Sequence, residues 1–504
     1  MKCILDLSNQ ELKDYLFQND SYVNFNLPIY FDFSDLFTKL ITKIWNKNIK
    51  TLRSWSINIR DIEWVNYILL INKNWKYDWR PFQIIHPLLY IEMVYLFSDN
   101  TNWEFIKSKF NDFKNNWYIE CKSLPRISEN ENSNKAEQIR GWWDSIEQQS
   151  IILWLDFKYM YHTDITDCYP SFYTHSISWA LHWKDEMKKR WNRNEKKFLW
   201  NKIDWLIQDM SFWQTNWIPQ WSNIMDFIAE IILWYSDILL SEKFTKEWIN
   251  KDNIKILRYR DDYRIFTNDI SEWEKILKII TEVLWDLWLK LSKRKTRFSN
   301  DIVKDSLKDD KYYWLINSKY SKSIDKELFI IKDIAEKYPN SWTLLKILQQ
   351  FNKKLTPKKL SHSRINYKVF ISILVNIMID NNKTFPIISA IISKIIKVNN
   401  WWTELITKIL KKFEEIPNTW NLEIWLQRIT LKLDSSFNIY SSSLVKKVID
   451  NDIELWNSKW IWNREIKKIL KDVRIINDSK INEIDLVISN EEVSLFNNGE
   501  YKSG

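Results

Sequence analysis

The chain has 504 residues, and its 74 Lys and Arg against 65 Asp and Glu leave a net charge of +9, which suits a polyanionic partner. Its three cysteines, Cys3, Cys121 and Cys168, lie far apart without metal-ligand spacing, which excludes a disulfide framework and fits a reducing cytoplasm. The start, Met1 to Asp6, lacks a signal-peptide core, and the most apolar runs (224–240 and 385–398) are too short or too broken by charge to span a bilayer, so a soluble cytoplasmic protein with no membrane partner is expected.

In chain order, residues 10–120 read as mostly helical, with a buried helix over 84–97. Residues 128–135 are uniformly polar and predict a loop, followed by a helix over 137–152. A strand over 159–165 comes next, then a long helix over 222–240. The runs 254–259 and 263–266 alternate and flank Arg260-Asp261-Asp262, which predicts a β-hairpin. An amphipathic helix over 273–285 precedes an extended stretch at 289–298. Beyond it the pattern is helix after helix, at 325–337, 342–353, 366–379, 385–398 and 403–415, which reads as an α-helical domain built from a stack of helical pairs.

The composition departs from ordinary usage at two residue types. There are 32 Trp and 3 Gly, whereas glycine averages roughly 7% of a protein. The sum of the two restores the usual glycine content. Trp217, Trp221, Trp288 and Trp75 occupy turn-like contexts, where a chain needs positive φ or close backbone approach. Most of the tryptophans therefore read as glycines encoded by UGA, a reassignment that some bacteria use. Trp79, Trp142 and Trp143 read as genuine.

Asp164 ends a predicted strand, and Asp261 and Asp262 lie at a predicted hairpin tip. By itself an Asp-Asp pair suits a solvated turn. Phosphoryl transfer at two divalent ions needs a few carboxylates on neighbouring strands, because Mg²⁺ takes hard oxygen ligands and keeps several waters. Adjacent aspartates repel unless a cation lies between them.

Four segments carry a resemblance. His162-Thr163-Asp164-Ile165-Thr166-Asp167-Cys168-Tyr169-Pro170-Ser171 resembles the first palm motif of reverse transcriptases. That likeness implies a metal-binding Asp164 and a sugar gate at Tyr169, hence a deoxynucleotide substrate. Asn216-Trp217-Ile218-Pro219-Gln220-Trp221-Ser222, with glycine at 217 and 221, resembles the second, which implies that Gln220 and Trp221 face the incoming nucleotide. Tyr259-Arg260-Asp261-Asp262 is similar to the family's catalytic hairpin and implies metal ligation by Asp261 and Asp262. Trp288-Leu289-Lys290-Leu291-Ser292-Lys293-Arg294-Lys295-Thr296 resembles the motif whose lysine assists the leaving pyrophosphate, with Lys295 preferred to Lys293. The four motifs occur in the family's order over about 120–320. The fingers cations that grip a triphosphate lack a clean match; Lys122, Arg126 and Lys135 are candidates beside the reading of solvated loop cations. Asp167 reads as structural or near the triphosphate, and Arg260 as a partial offset to the aspartate charge. His86, His162, His175 and His182 read as core or surface residues.

The resemblance implies an α+β fold: a right-hand polymerase palm and fingers at 121–320, an N-terminal helical extension at 1–120 and an α-helical C-terminal domain at 325–504. It implies an RNA-directed DNA polymerase using two Mg²⁺ (Mn²⁺ as the alternative), with deoxynucleoside triphosphates, an RNA template and a DNA product as partners. The segments at 80–87, 138–143, 173–176 and 258–264 are similar to bacterial reverse transcriptases of the unknown-group and abortive-infection kind, which implies antiphage defence. Relatives that make DNA without template or prime from a protein hydroxyl keep that alternative open, as does a non-catalytic nucleic-acid-binding scaffold. A non-coding RNA, a protein partner and an oligomer also stay open. An RNA-dependent RNA polymerase fits less well, because Asp164 and Asp167 are three apart, not five, and Tyr169 is aromatic.

Overall fold

The computed structural model describes residues 2–44, 49–54, 56–73, 78–114, 118–127, 143–189, 191–192, 195, 198–317, 323–356, 360, 366–398 and 401–494. Among them run the strands β1 (Lys2–Cys3), β2 (Tyr67–Asn72), β3 (Trp79–Ile84), β4 (Ile119–Cys121), β5 (Arg126–Ile127), β6 (Tyr159–Asp164), β7 (Ile254–Tyr259), β8 (Asp262–Thr267) and β9 (Arg297–Ser299). Five of them form the central sheet in the order β4-β7-β8-β6-β9. Strands β4 and β7 are parallel, and the other neighbours are antiparallel. The alternation that predicts the hairpin puts Ile256, Ile265 and Tyr263 in the core and leaves the turn residues at the sheet end.

Helix Asn223–Lys246 lies under this sheet, and nearly all of its first fifteen residues are buried. Helix Pro87–Ser98 is buried almost all round. It starts three residues later than expected, because β3 runs to Ile84 and Pro87 opens the helix with His86 Nδ1 accepting the Leu88 N–H. The β2–β3 hairpin is absent from the sequence expectation of a mostly helical 10–120. Pro81 hides it, since proline demotes a run as a strand; here it pairs with Leu70 in a two-stranded sheet, where its missing N–H is tolerated.

Residues 128–135 and 137–142, expected as loop and helix start, lie outside the described residues, as do Trp75, Lys135 and Trp142. The expected helix is seen from Trp143, as one π-helical turn to Gln148 followed by Gln149–Leu153. Of the extended stretch at 289–298, only Leu291 (bridging Ile165) and β9 pair with the sheet; Ser292 to Thr296 form a turn.

The C-terminal region is helical: Ile324–Lys337, Trp342–Lys354, Tyr367–Asp380, Phe385–Val398, Trp402–Phe413 and Trp420–Thr430. Phe385–Val398 sits at its centre, buried on almost every side. The following chain returns to the N-terminal region. Phe31 bridges Ile476, Arg53 bridges Ile461, and the indole N–H groups of Trp420 and Trp456 donate to the Leu70 and Ile84 carbonyls at 2.8 and 3.1 Å. A large apolar core therefore runs from Ile4 to Val493, and a smaller separate cluster holds Ile146, Phe157, Met160, Leu257, Phe266 and Ile302. Among the described residues no helix is long and apolar enough to cross a membrane.

Candidate active site

Strand β6 ends at Asp164, directly opposite Asp262 at the start of β8, and the Ile165 N–H donates to the Asp261 carbonyl at 3.0 Å. Three carboxylates thus gather at one end of the sheet. Arg260 takes φ 53°, a left-handed turn conformation that folds the hairpin tip tightly. The segment at 290–296 is stitched to the end of β6: Thr166 N–H donates to the Lys290 carbonyl at 2.8 Å and Ser292 N–H to the Asp164 carbonyl at 2.7 Å. The Thr163 and Thr296 hydroxyls meet at 2.8 Å. This stitching brings the Lys295 ammonium onto the Asp164 carboxylate.

The electrostatics follow from crowding of like charge. Burial, then the neighbouring Asp262 and Asp164 charges, push the Asp261 carboxyl up to about 7. Burial and Asp262 also raise Asp164, against the pull of Lys295. Asp262 moves the other way: burial would raise it, but His162 and Lys295 hold it below the usual range. The His162 Nε2 lies 3.6 Å from Asp262 Oδ1, beyond hydrogen-bonding distance. The three acids raise Lys295 in turn, although burial opposes its charge.

The hairpin is fastened to the long helix by two arginines. Arg258 is fully buried; its Nε reaches both Asp237 oxygens at 3.0 and 2.8 Å, and its Nη1 reaches Glu230 at 3.2 Å and the Arg260 carbonyl at 3.0 Å. Arg260 Nη2 meets Asp226 Oδ2 at 3.1 Å. The expected offset of the aspartate pair by Arg260 is therefore corrected: the guanidinium turns to the helix, and Lys295 faces the carboxylates. Asp226, Glu230 and Asp237 recur at i, i+4 and i+11 along an apolar helix, so they share one face. That spacing was the readable signal for both partners, and sequence reasoning missed it. It also missed His162, two residues before Asp164 on the same strand face.

The loop at 215–221 zips onto the chain after Asp164. Thr174 N–H donates to Thr215, Trp217 N–H to Phe172 and Ile218 N–H to Tyr169, at 2.7, 2.8 and 3.2 Å. Gln220 is buried here, and the Trp221 ring is part-buried with its centroid 4.2 Å from that of Phe82. The Tyr169 hydroxyl donates to Asp226 at 2.5 Å.

Other candidates stand apart from this cluster. The Lys122 N–H donates to the Arg258 carbonyl at 2.8 Å, but its ammonium pairs with Glu120. Arg126 lies in β5, and its side chain is outside the described residues. Asp167 is exposed, 3.9 Å from the Lys73 ammonium. His86 is buried against Ser458, His175 pairs with Asp204, and His182 stacks on Phe105.

The donors available to a hard cation are the Asp164, Asp261 and Asp262 carboxylates, whose mutual repulsion a cation would relieve. Among the described residues no three His, Cys, Asp or Glu side chains lie close enough together to hold a metal ion as they stand.

No family model matches the chain, and no curated protein matches it. Solved structures similar to it include telomerases. The telomerase of Candida albicans, in complex with a TWJ fragment of telomeric RNA, is 12% identical with a TM-score of 0.29, covering 82% of this chain and 68% of that one. The apo telomerase of Candida tropicalis is 13% identical with a TM-score of 0.31, covering 82% and 73%. The same species' telomerase with the TWJ fragment is also 13% identical, with a TM-score of 0.29 and 82% and 67% covered. At such scores the likeness carries no argument, and the reading rests on the chain's own site.

Proposed function

We propose that the chain is an RNA-directed DNA polymerase whose catalytic part lies at 121–320. The observation that carries this is the register of β6 and β8, which sets Asp164 opposite Asp262 with Asp261 at the adjoining turn. Two Mg²⁺ ions held by these three carboxylates would activate a primer 3′ hydroxyl and neutralise the departing pyrophosphate. Lys295, which pairs with Asp164 in the absence of a cation, would donate a proton to that leaving group once a cation takes its place. Tyr169 bars a ribose 2′ hydroxyl, and Gln220 with the backbone at 221 lines the nascent pair. The sequence segments shared with abortive-infection enzymes support a role in antiphage defence, with RNA as template.

This function belongs to a chain with glycine at many of the tryptophan positions. Seven of the twelve non-glycine residues at positive φ among the described residues are tryptophans: Trp64, Trp183, Trp213, Trp217, Trp221, Trp248 and Trp288. An indole cannot take that conformation without steric cost, and glycine can. The indole N–H groups of Trp200, Trp217, Trp221, Trp234, Trp425 and Trp460 are buried without a hydrogen-bond partner, a further cost. Reading the codons decides this directly; UGG at 217, 221 and 288 would sink the glycine reading.

The activity test incubates the chain with glycine at 217, 221 and 288, and its Asp261→Asn partner, with Mg²⁺ and labelled deoxynucleotides, with and without RNA template. Products are run before and after protease. Template-dependent DNA lost in the variant supports the proposal. DNA made without template, or released only by protease, replaces it with the untemplated or protein-primed reading. No incorporation under any condition leaves the scaffold reading. Loss of phage protection in Asp261→Asn cells tests the defence role.

A further inference from the structure

Asp226 falls outside every motif read above, yet its carboxylate is the meeting point of three segments. Its Oδ1 accepts the Tyr169 hydroxyl at 2.5 Å. Its Oδ2 accepts Arg260 Nη2 at 3.1 Å and Asn24 Nδ2 at 3.3 Å. Tyr169 lies five residues after Asp164, and Arg260 immediately precedes Asp261. Asn24 belongs to the N-terminal region, and its own N–H donates to the Trp221 carbonyl at 3.0 Å. The segments of Tyr169, Arg260 and Asn24 therefore meet at one carboxylate, and Asn24 extends the link to the backbone at 221.

A tyrosine ring held only by its χ angles swings among rotamers, whereas a ring also held at its hydroxyl does not. That distinction matters for a gate. A single 2′ oxygen separates the two sugars, so a ring displaced by about 1 Å stops discriminating between them. An anchor that served only to satisfy a buried acid would not need to join the gate to the metal-binding hairpin. Here Arg260 does join them, because its carbonyl is also held by buried Arg258.

We propose that Asp226 is the positioning residue for sugar selectivity: it fixes the Tyr169 ring and couples it to the Arg260-Asp261-Asp262 turn, so that the gate and the carboxylates keep one spacing. This rests on the polymerase reading.

The test is single-nucleotide incorporation on a primed template by the full chain with glycine at 217, 221 and 288. A deoxynucleoside triphosphate is compared with the ribonucleoside triphosphate of the same base. Tyr169→Phe keeps the ring and removes only its hydroxyl; Asp226→Asn weakens both anchors; the double variant combines them. Each single variant is expected to lower the deoxy-to-ribo ratio of kcat/KM about tenfold or more, the scale of one hydrogen bond to a charged group. The change should appear as a lower KM for the ribonucleotide. The double variant should drop no further than Asp226→Asn alone, because the Tyr169 hydroxyl acts only through Asp226. An unchanged ratio in Tyr169→Phe, or additive losses in the double variant, overturns the inference and leaves the polymerase reading intact. If Asp226→Asn does not fold, Tyr169→Phe decides alone. Absence of incorporation by the parent chain overturns both.

Discussion

Asp164 and Lys295 form an ion pair although 131 positions separate them, and the pair exists because the chain at 290–296 is bonded to the end of β6. A lysine ammonium thus occupies the place on Asp164 that a divalent cation would claim. Replacing Lys295 with Ala should tighten Mn²⁺ binding about tenfold, since one charge-assisted contact competing for the carboxylate disappears. Turnover should fall at the same time. Calorimetric Mn²⁺ titration beside incorporation kinetics reads both, and unchanged Mn²⁺ affinity would refute the competition.

Asp261→Asn should separate activity from stability. On the proposed reading Asp261 would serve a metal, and removing such a carboxylate costs several kcal/mol of barrier stabilisation, so incorporation should fall about a thousandfold or more. The same change removes a buried charge and relieves its repulsion with Asp164 and Asp262, and burial first and those charges second are what raise the Asp261 carboxyl. Thermal unfolding at neutral pH should then move up or stay level. A fall in both activity and Tm would show that Asp261 is a structural residue.

The tryptophans should divide into two groups by their response to glycine. At Trp217, Trp221 and Trp288, with φ of 104°, 77° and 64°, substitution should raise the unfolding free energy by about 1 kcal/mol each. Trp103 is the opposite case: it is fully buried, and its indole N–H donates to the Leu7 carbonyl at 2.9 Å. Trp103→Gly should cost about 3–5 kcal/mol. Urea denaturation of the four variants measures this, and a uniform loss would contradict the division. Of the positions expected to be genuine, Trp79 is about half exposed at 47%, and Trp142 and the side chain of Trp143 lie outside the described residues.

Acid should destabilise the fold through His86. Burial lowers its imidazole from 6.5 to about 3, so it stays neutral between Leu88 and Ser458. His182 is lowered to about 4 by burial and Lys109, with the same consequence. Below pH 6.5 the unfolded chain binds these protons and the native chain does not, so stability falls as pH drops from about 6.5 toward 4. The slope is up to about 1.4 kcal/mol per pH unit per group. Tm measured from pH 7 to 5 should decline, and His86→Asn should flatten the decline. An identical pH profile in the variant would assign the acid sensitivity elsewhere.

Much of the candidate site was legible because its signals are local. Period-two alternation on either side of Arg260-Asp261-Asp262 specifies a hairpin whatever surrounds it, and the strand ending at Asp164 is read the same way. The helix expected over 222–240 and the C-terminal helices expected up to 403–415 follow from residue spacing alone, whereas Trp420–Thr430 and the helices after it were not read. The β2–β3 hairpin was not legible, because Pro81 is compatible with a strand only where no further strand needs its N–H, and that depends on neighbours.

The sequence by itself therefore determined the elements that carry the site and the order of the acids along them; tertiary structure alone decided which cation answers which acid. Asp226, Glu230 and Asp237 announce a charged face in an apolar helix, and a buried carboxylate must find a partner. Whether that partner is Arg258, Arg260, Lys295 or a metal depends on where β6, β7 and the 290–296 turn meet the helix. The return of residues 456–476 onto residues 31–86 is decided at the same level, because apolar faces specify that they must be covered and not by what.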